Sequence, residues 1–467
     1  MRGVRREAVT EFVKAGSTAT KIPSPVQIDE IELGPVRRAA SDELGFDIVT
    51  ARGGEIPYFE LRLHLAAGSA VEPRGSPLPR MLSSTFLGGT SEMTSEEISR
   101  SLQRMGSALS CGVGLDGTIV SASGPASEFE RVLELVGEVI FSAEYPQVEV
   151  EVSRSRVMQD LSVARAQPST VARDRLRQVL FGDHPYGNPT PLPEAVLTVR
   201  RDDIRKLHQR LFRACGGRFV VVSNLSHAKV DRLIRGYFED TAGPRRNWGR
   251  RPPPDPKRPK PNFTANAILV DRPGSVQTTI RVAMPSPSRP DPIYHAFLVA
   301  NTVFGGYFSS RLVENVRESK GYAYGISSSI SHKRKLSTVT VATDVATDVT
   351  APALVEIFYE IDKMRAAPPD PQEIEAARRY LLGATAISLD TYGGIAASLD
   401  SLFDAGLNER YLRELKRRLW SLSPDEIYEA GCRYFDRSKA VVVLVGDAAR
   451  TERSLRRVLG ELLHVEK

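Results

Sequence analysis

Cysteine is scarce in this chain. Three residues in 467, Cys111, Cys215 and Cys432, allow one internal disulfide at most. Their separations, 104 and 217 positions, exclude a zinc ribbon and a CxxC redox motif. Histidine is also sparse: there are seven, and no two lie three to five residues apart. That removes the paired imidazoles of a helical metal site. No run approaches the roughly 18 apolar residues that span a bilayer. Residues 1–17, MRGVRREAVTEFVKAGS, lack the apolar stretch of a secretory signal, and Glu7 and Glu11 are unlike a transit peptide. These absences predict a reduced, cytoplasmic protein with no membrane span, whose residues 1–44 form an N-terminal arm that is largely irregular.

What is present is ordinary globular material, 41% hydrophobic and 26% charged. The net charge of +6 is concentrated in one place. Residues 241–263, TAGPRRNWGRRPPPDPKRPKPNF, carry seven Lys or Arg, one Asp and seven Pro. Such a segment stays extended and solvated, so it reads as a linker between two units. The rest of the chain sums to zero, leaving no basic stripe for nucleic acid.

The two sides of the linker repeat one order of elements. Residues 45–240 begin with the alternating run Tyr58–Leu65, a half-buried strand. An apolar helix near Leu78–Leu87 follows, then a capping box at Thr94–Glu97 that opens another helix. A hairpin turns at Leu115–Gly117. Ser127–Glu130 reads as the cap of the next helix. Long helices, a β-rich run at Arg218–Ser223 and a last helix complete the unit. Residues 264–467 give the same series, with a helix over Phe308–Glu318, a hairpin over Ala323–Thr343 and a final run at Ala440–Gly446. The pattern predicts an α+β protein of two homologous domains, each a mostly antiparallel sheet covered by helices.

Two segments carry a resemblance. Pro77–Thr90, PLPRMLSSTFLGGT, resembles the metal-motif helix of the pitrilysin/insulinase peptidases, which include mitochondrial processing peptidase. Phe304–Tyr324, FGGYFSSRLVENVRESKGYAY, resembles that family's second-domain signature, in which Gly-Gly-x-x-Ser-Ser-Arg-Leu leads to an Arg and, seven residues on, a Tyr. The resemblance implies a fold in which the two domains form half of a clamshell. It also implies that Tyr58–Leu65 and Ser337–Thr343 are edge strands able to pair with an extended peptide.

The first segment departs from the family's H-x-x-E-H, in which two His bind zinc and the Glu activates its water. Those positions are Arg80, Ser83 and Ser84 here, and the third ligand falls at Asp160. These are degenerate metal positions: no imidazole remains, and one carboxylate does not hold catalytic zinc. No metal or other cofactor is expected in this chain. The second segment is intact. The resemblance implies that Arg317 and Tyr324 reach, in trans, toward a substrate carbonyl beside a partner's zinc. Gly305 and Gly306 would give backbone room near substrate. The expected function is that of a zinc-less subunit of a heteromeric metallopeptidase, inactive alone. Its partners would be a homologous zinc-bearing chain and a peptide substrate. The alternative is a non-catalytic scaffold or peptide-binding protein of the same fold.

Overall fold

A computed structural model describes residues 31–41, 45–213, 217–241, 258–334 and 336–466. The bulk of the N-terminal arm and residues 242–257 of the basic linker lie outside the described residues. In the first half, β1 (Val36–Ser41), β2 (Phe46–Arg52) and β3 (Tyr58–Leu65) precede α1 (Leu78–Thr85) and α2 (Ser95–Arg104). Then come β4 (Ala108–Val113), β5 (Thr118–Pro125), α3 (Phe129–Phe141), α4 (Gln147–Ala166), α5 (Pro168–Phe181), α6 (Arg201–Arg213), β6 (Gly217–Ser223) and α7 (His227–Thr241).

The second half contains β7 (Asn266–Asp271), β8 (Gln277–Ser286), α8 (Tyr294–Asn301), β9 (Ala323–Lys333), β10 (Leu336–Ala346), α9 (Thr350–Ala366), α10 (Pro371–Ser388) and α11 (Tyr392–Asp404). Shorter helices lead to β11 (Val441–Gly446) and β12 (Leu463–Glu466). No helix among the described residues is long and apolar enough to cross a membrane.

Each half forms one six-stranded sheet, in the orders β1-β2-β6-β3-β5-β4 and β12-β7-β11-β8-β10-β9. Five strands correspond one to one. The sixth comes from opposite directions: β1 precedes β2 and pairs antiparallel with it, whereas β12 follows β11 and pairs parallel with β7. Within the first sheet only β2 and β6 run parallel. The antiparallel expectation therefore holds for most of each sheet.

The two halves exchange helices. β6 and β11 are buried along nearly their whole length on both faces, which explains why they read as continuous Val-rich runs rather than alternating ones. Phe219 and Val221 of β6 face the first half's own helices. Val220 and Val222 join the core that contains Tyr392, Ile395 and Leu399 of α11, from the other half. Reciprocally, Ala172, Leu176 and Leu180 of α5 pack on Val441, Val443 and Val445 of β11. Residues 258–263 run back along this contact: the Asn262 N–H donates to the Leu180 carbonyl at 2.8 Å.

A buried ionic contact closes the same interface. His64 Nδ1 on β3 lies 2.8 Å from Asp400 Oδ1 on α11, and Arg218 Nη1 on β6 lies 3.4 Å from the same oxygen. Nearby, the Arg334 N–H and guanidinium donate to the Asp116 carboxylate and carbonyl, at 3.0 and 2.9 Å.

Three local expectations are corrected. β3 lies between β5 and β6, and β10 between β8 and β9, so Tyr58–Leu65 and Ser337–Thr343 are interior strands. On that side the open edges are β4, two strands out from β3, and β9, one strand out from β10. Alternation reports a half-buried strand and carries no information about which hairpin arm is outermost. Ser127 caps nothing: a 3-10 turn over Ala126–Glu128 precedes α3, with no side-chain cap. The helix expected over Phe308–Glu318 is instead largely a π-helical stretch, Val313–Ser319.

Candidate functional site

The first candidate region is built on α1. Pro79, Met81, Leu82 and Thr85 are the buried side of this helix, which turns Arg80, Ser83 and Ser84 partly toward solvent. α4 crosses it, and the Ser153 hydroxyl donates to the Ser84 carbonyl at 3.3 Å. Arg80, Ser83, Ser84 and Asp160 line one cavity of about 820 Å³. The structure thus brings together the four residues expected to stand at degenerate metal positions.

Their chemistry is not that of a metal site. The Ser83 hydroxyl donates to the Pro79 carbonyl at 3.1 Å and accepts from the Val113 N–H at 3.2 Å. It ties the helix to the end of edge strand β4. Among the described residues there is no group of three His, Cys, Asp or Glu that could hold a metal ion. A guanidinium at Arg80 opposes a cation, and Asp160 alone offers one ligand. Zinc does not fit this donor set.

The second candidate region is built on the π-helical stretch and β9. A π-helical turn, Thr302–Gly306, follows α8, and a second one carries Arg317. Such turns are uncommon and recur at functional sites. Arg311 fixes the segment from below, with Nε and Nη2 donating to the two Glu373 oxygens at 2.7 and 2.6 Å. The Asn315 amide donates to Glu356 and Glu360 at 3.1 and 2.9 Å.

Tyr324 sits on edge strand β9, where the register slips: Thr343 faces Ile326 but Val345 faces Ala323. Tyr324 and Gly325 therefore oppose the single residue Asp344, a β-bulge. Bulges at sheet edges re-aim side chains, and Tyr324 is 93% exposed. The Arg317 guanidinium lies 5.6 Å from the centre of the Tyr324 ring and 4.6 Å from that of Phe308. Glu318 is within 3.3 Å of it.

Arg317 and Tyr324 are thus neighbours, joined by a third residue that sequence reasoning missed. Phe308 is 64% exposed. Its signal was an aromatic at a variable position of the Gly-Gly-x-x-Ser-Ser motif, where nothing required one.

Gly305 is buried, and a Cβ there would lie 2.7 Å from Leu312 Cδ1 and 2.8 Å from Ser328 Cβ. The close approach is made by the chain's own β9. Gly306 is looser, its nearest neighbour being the Asn301 carbonyl at 3.2 Å.

The fold and these two regions define a peptidase-like chain of paired sheet-and-helix domains, without a metal-binding set among the described residues. Residues 58–194 match the family profile described as insulinase (peptidase family M16), and residues 198–381 match the one described as peptidase M16 inactive domain. The chain belongs to the insulinase, or M16, peptidase family. Among its relatives, an uncharacterized zinc protease of Mycobacterium leprae is 26% identical over 242 residues, 52% of this chain and 54% of the relative. The match thus spans about half the length of that relative. One of Streptomyces coelicolor is 22% identical over 340 residues, 73% of this chain and 74% of the relative.

Two solved structures share the fold. The peptidase M16 inactive domain from Pseudomonas fluorescens has a TM-score of 0.80 at 20% identity, covering 89% of this chain and 99% of its own. A protease from Helicobacter pylori has a TM-score of 0.80 at 17% identity, covering 89% and 100%. Half of a clamshell is therefore the architecture.

Proposed function

We propose that this chain is the zinc-less subunit of a two-chain metallopeptidase in the cytoplasm. A homologous partner would carry the zinc, and this chain would lend Arg317 and Tyr324 to the partner's site. The observation that carries the reading is the placement of that pair. A guanidinium and a phenol share an exposed aromatic platform on an open sheet edge, on a chain whose own metal positions hold Arg and Ser.

The chemistry follows from what peptide hydrolysis needs. Attack on the scissile carbonyl places negative charge on its oxygen. The Arg317 N–H groups and the Tyr324 O–H are donors of the kind that stabilise this charge once water is excluded. Alone, Tyr324 is almost wholly in solvent, where such donors are worth little. The partner's wall would supply the missing exclusion of water. This accounts for a chain that does nothing alone yet raises the turnover of another.

The test begins with isolation of the chain from its native host and mass spectrometry of what accompanies it. A similar-sized chain bearing H-x-x-E-H is the expected companion. In the reconstituted pair, Arg317→Ala should lower kcat by about 10²–10³ with zinc content unchanged. Unchanged turnover would transfer the chain to the scaffold role.

A further inference from the structure

The cavity at the degenerate zinc positions has an unexpected charge. Four arginines line it: Arg80 from α1, Arg156 from α4, and Arg173 and Arg177 from α5. Two carboxylates join them, Glu72 and Asp160. Glu72 is already ion-paired with Arg210. Arg173 is partly occupied, with Nε 3.6 Å from Asp174 and Nη2 donating to the Thr190 hydroxyl at 3.3 Å. No hydrogen bond or ion pair joins Arg80, Arg156 or Arg177 to a described side chain. One exposed carboxylate, Asp160, thus faces three uncommitted guanidinium groups.

Burial sharpens the imbalance. The Arg177 guanidinium is pulled below its ordinary range by burial and then by Arg173, against the opposing pull of Asp174. Behind it, burial and then Arg177 push the Lys333 ammonium down to about 8, with Asp116 opposing. Clustered cations of this kind repel one another until an anion enters. Guanidinium forks match a carboxylate in shape and charge.

The strand beside the cavity says how such an anion would arrive. Gly112, Val113, Gly114 and Leu115 also line the cavity, and Gly112 and Val113 end the open edge strand β4. The outward N–H of Val113 is taken by Ser83, and the Gly114 N–H by the Gly117 carbonyl. An extended peptide laid along β4 therefore runs out of partners at Val113, beside the arginines. A chain end is what fits there.

We infer that the former zinc cleft is a carboxylate subsite, in which Arg80, Arg156 and Arg177 receive the C-terminal carboxylate of a short extended peptide. The inference rests on the peptide-handling function proposed above and adds the charge of the peptide's end. The loss of zinc ligands and the gain of an anion site are then one change: Arg80 replaces a metal ligand with a fixed cation.

Equilibrium dialysis of the full chain against two pools of randomised decapeptides, free acid and C-terminal amide, tests this with mass spectrometry as the readout. The expected result is retention of the acid pool roughly tenfold better than the amide pool. Arg156→Gln, on the exposed face of α4, should bring the acid pool down to the amide level; Arg80→Gln is the second variant. Enrichment of Asp- and Glu-containing peptides in both pools would also support the carboxylate site, with the side chain as its source. Equal retention of both pools without acidic enrichment would overturn the subsite and leave the peptide function standing. Retention of neither pool would overturn the subsite, while the trans role of Arg317 and Tyr324 is decided by the reconstituted pair.

Discussion

Replacing Asp400 with Ala should cost about 3–5 kcal/mol of stability, because it removes one member of a buried ionic group and strands the others. Asp400 is 4% exposed, and its Oδ1 serves His64 at 2.8 Å and Arg218 at 3.4 Å. Burial already pulls the Arg218 guanidinium below its ordinary range, with Asp400 the largest opposing charge. Removing that carboxylate leaves Arg218 with the weaker pull of Asp404 and Asp47 and with the Phe403 ring, 5.2 Å from its guanidinium carbon. A cation–π contact returns about 0.5–1 kcal/mol, or 2 when desolvated, so the lower half of the range is expected.

Urea unfolding of the wild type, Asp400→Ala and the apolar triple variant His64→Leu, Arg218→Met, Asp400→Leu measures the effect. The triple variant should recover most of the loss, since no buried charge is left unpaired. The site also joins the two halves through the exchanged helix α11, so transitions followed in either half should shift together. A loss below about 1 kcal/mol, the value of a surface ion pair, would refute the reasoning.

Two further outcomes follow from single groups. His295 is 7% exposed, and burial, then Arg418 and Arg289, push its imidazole down to about 4. The unfolded chain therefore binds more protons between about pH 4 and 6.5, so stability rises with pH through that window and is lost on acidification; His295→Leu should reduce the slope of the thermal midpoint against pH there, leaving the share of His332, which burial pushes down to about 4 as well. Gly305→Ala should destabilise by about 1–3 kcal/mol in thermal unfolding, because its Cβ meets Leu312 and Ser328 at under 3 Å. Gly306→Ala, whose Cβ would meet the Asn301 carbonyl at 3.2 Å and Thr302 Oγ1 at 3.3 Å, should cost less than Gly305→Ala.

Much of the architecture was legible because local signals matched the final packing. α4 spans Gln147–Ala166, bounded by Pro146 and Pro168, and the capping box at Thr94–Glu97 opens α2. β2 and β12 were missed for a physical reason. β2 pairs in parallel with β6, some 170 positions away, and β12 pairs in parallel with β7. Neither parallel connection leaves a hairpin turn in the sequence; β2 also pairs antiparallel with β1, Ser41 facing Phe46, but its run Phe46–Arg52 is buried at five of seven positions and does not alternate. The repeat itself was visible, but the exchange of α5 and α11 was not. Only the two-sided burial of β6 and β11 hinted that another half supplied cover.

At the site, Arg80, Ser83, Ser84 and Asp160 line one cavity, and the Arg317 guanidinium lies beside the Tyr324 ring. The bulge that aims Tyr324 and the platform offered by Phe308 had no sequence signal, since register slips and ring contacts depend on tertiary pairing.

The two regions share one physical property. Neither is what the fold requires for stability. An exposed cation–π contact at Arg317 is worth about 0.5–1 kcal/mol, and uncommitted guanidinium groups around the former zinc cleft repel rather than bind one another. Only Ser83 has been drawn into the fold, by satisfying the Val113 N–H at the end of β4. Groups held in place by a well-packed scaffold, yet unsatisfied within it, are what a functional site leaves in a fold, and the proposed function would complete them from outside the chain. In the function proposed above, the complement of Arg317 and Tyr324 would be a protein wall that excludes water. For the arginine cleft it must bring negative charge along an open strand edge, which the end of a peptide does. In the function proposed above, one partner protein and one peptide would satisfy both demands, and a scaffold that only held subunits together would need neither.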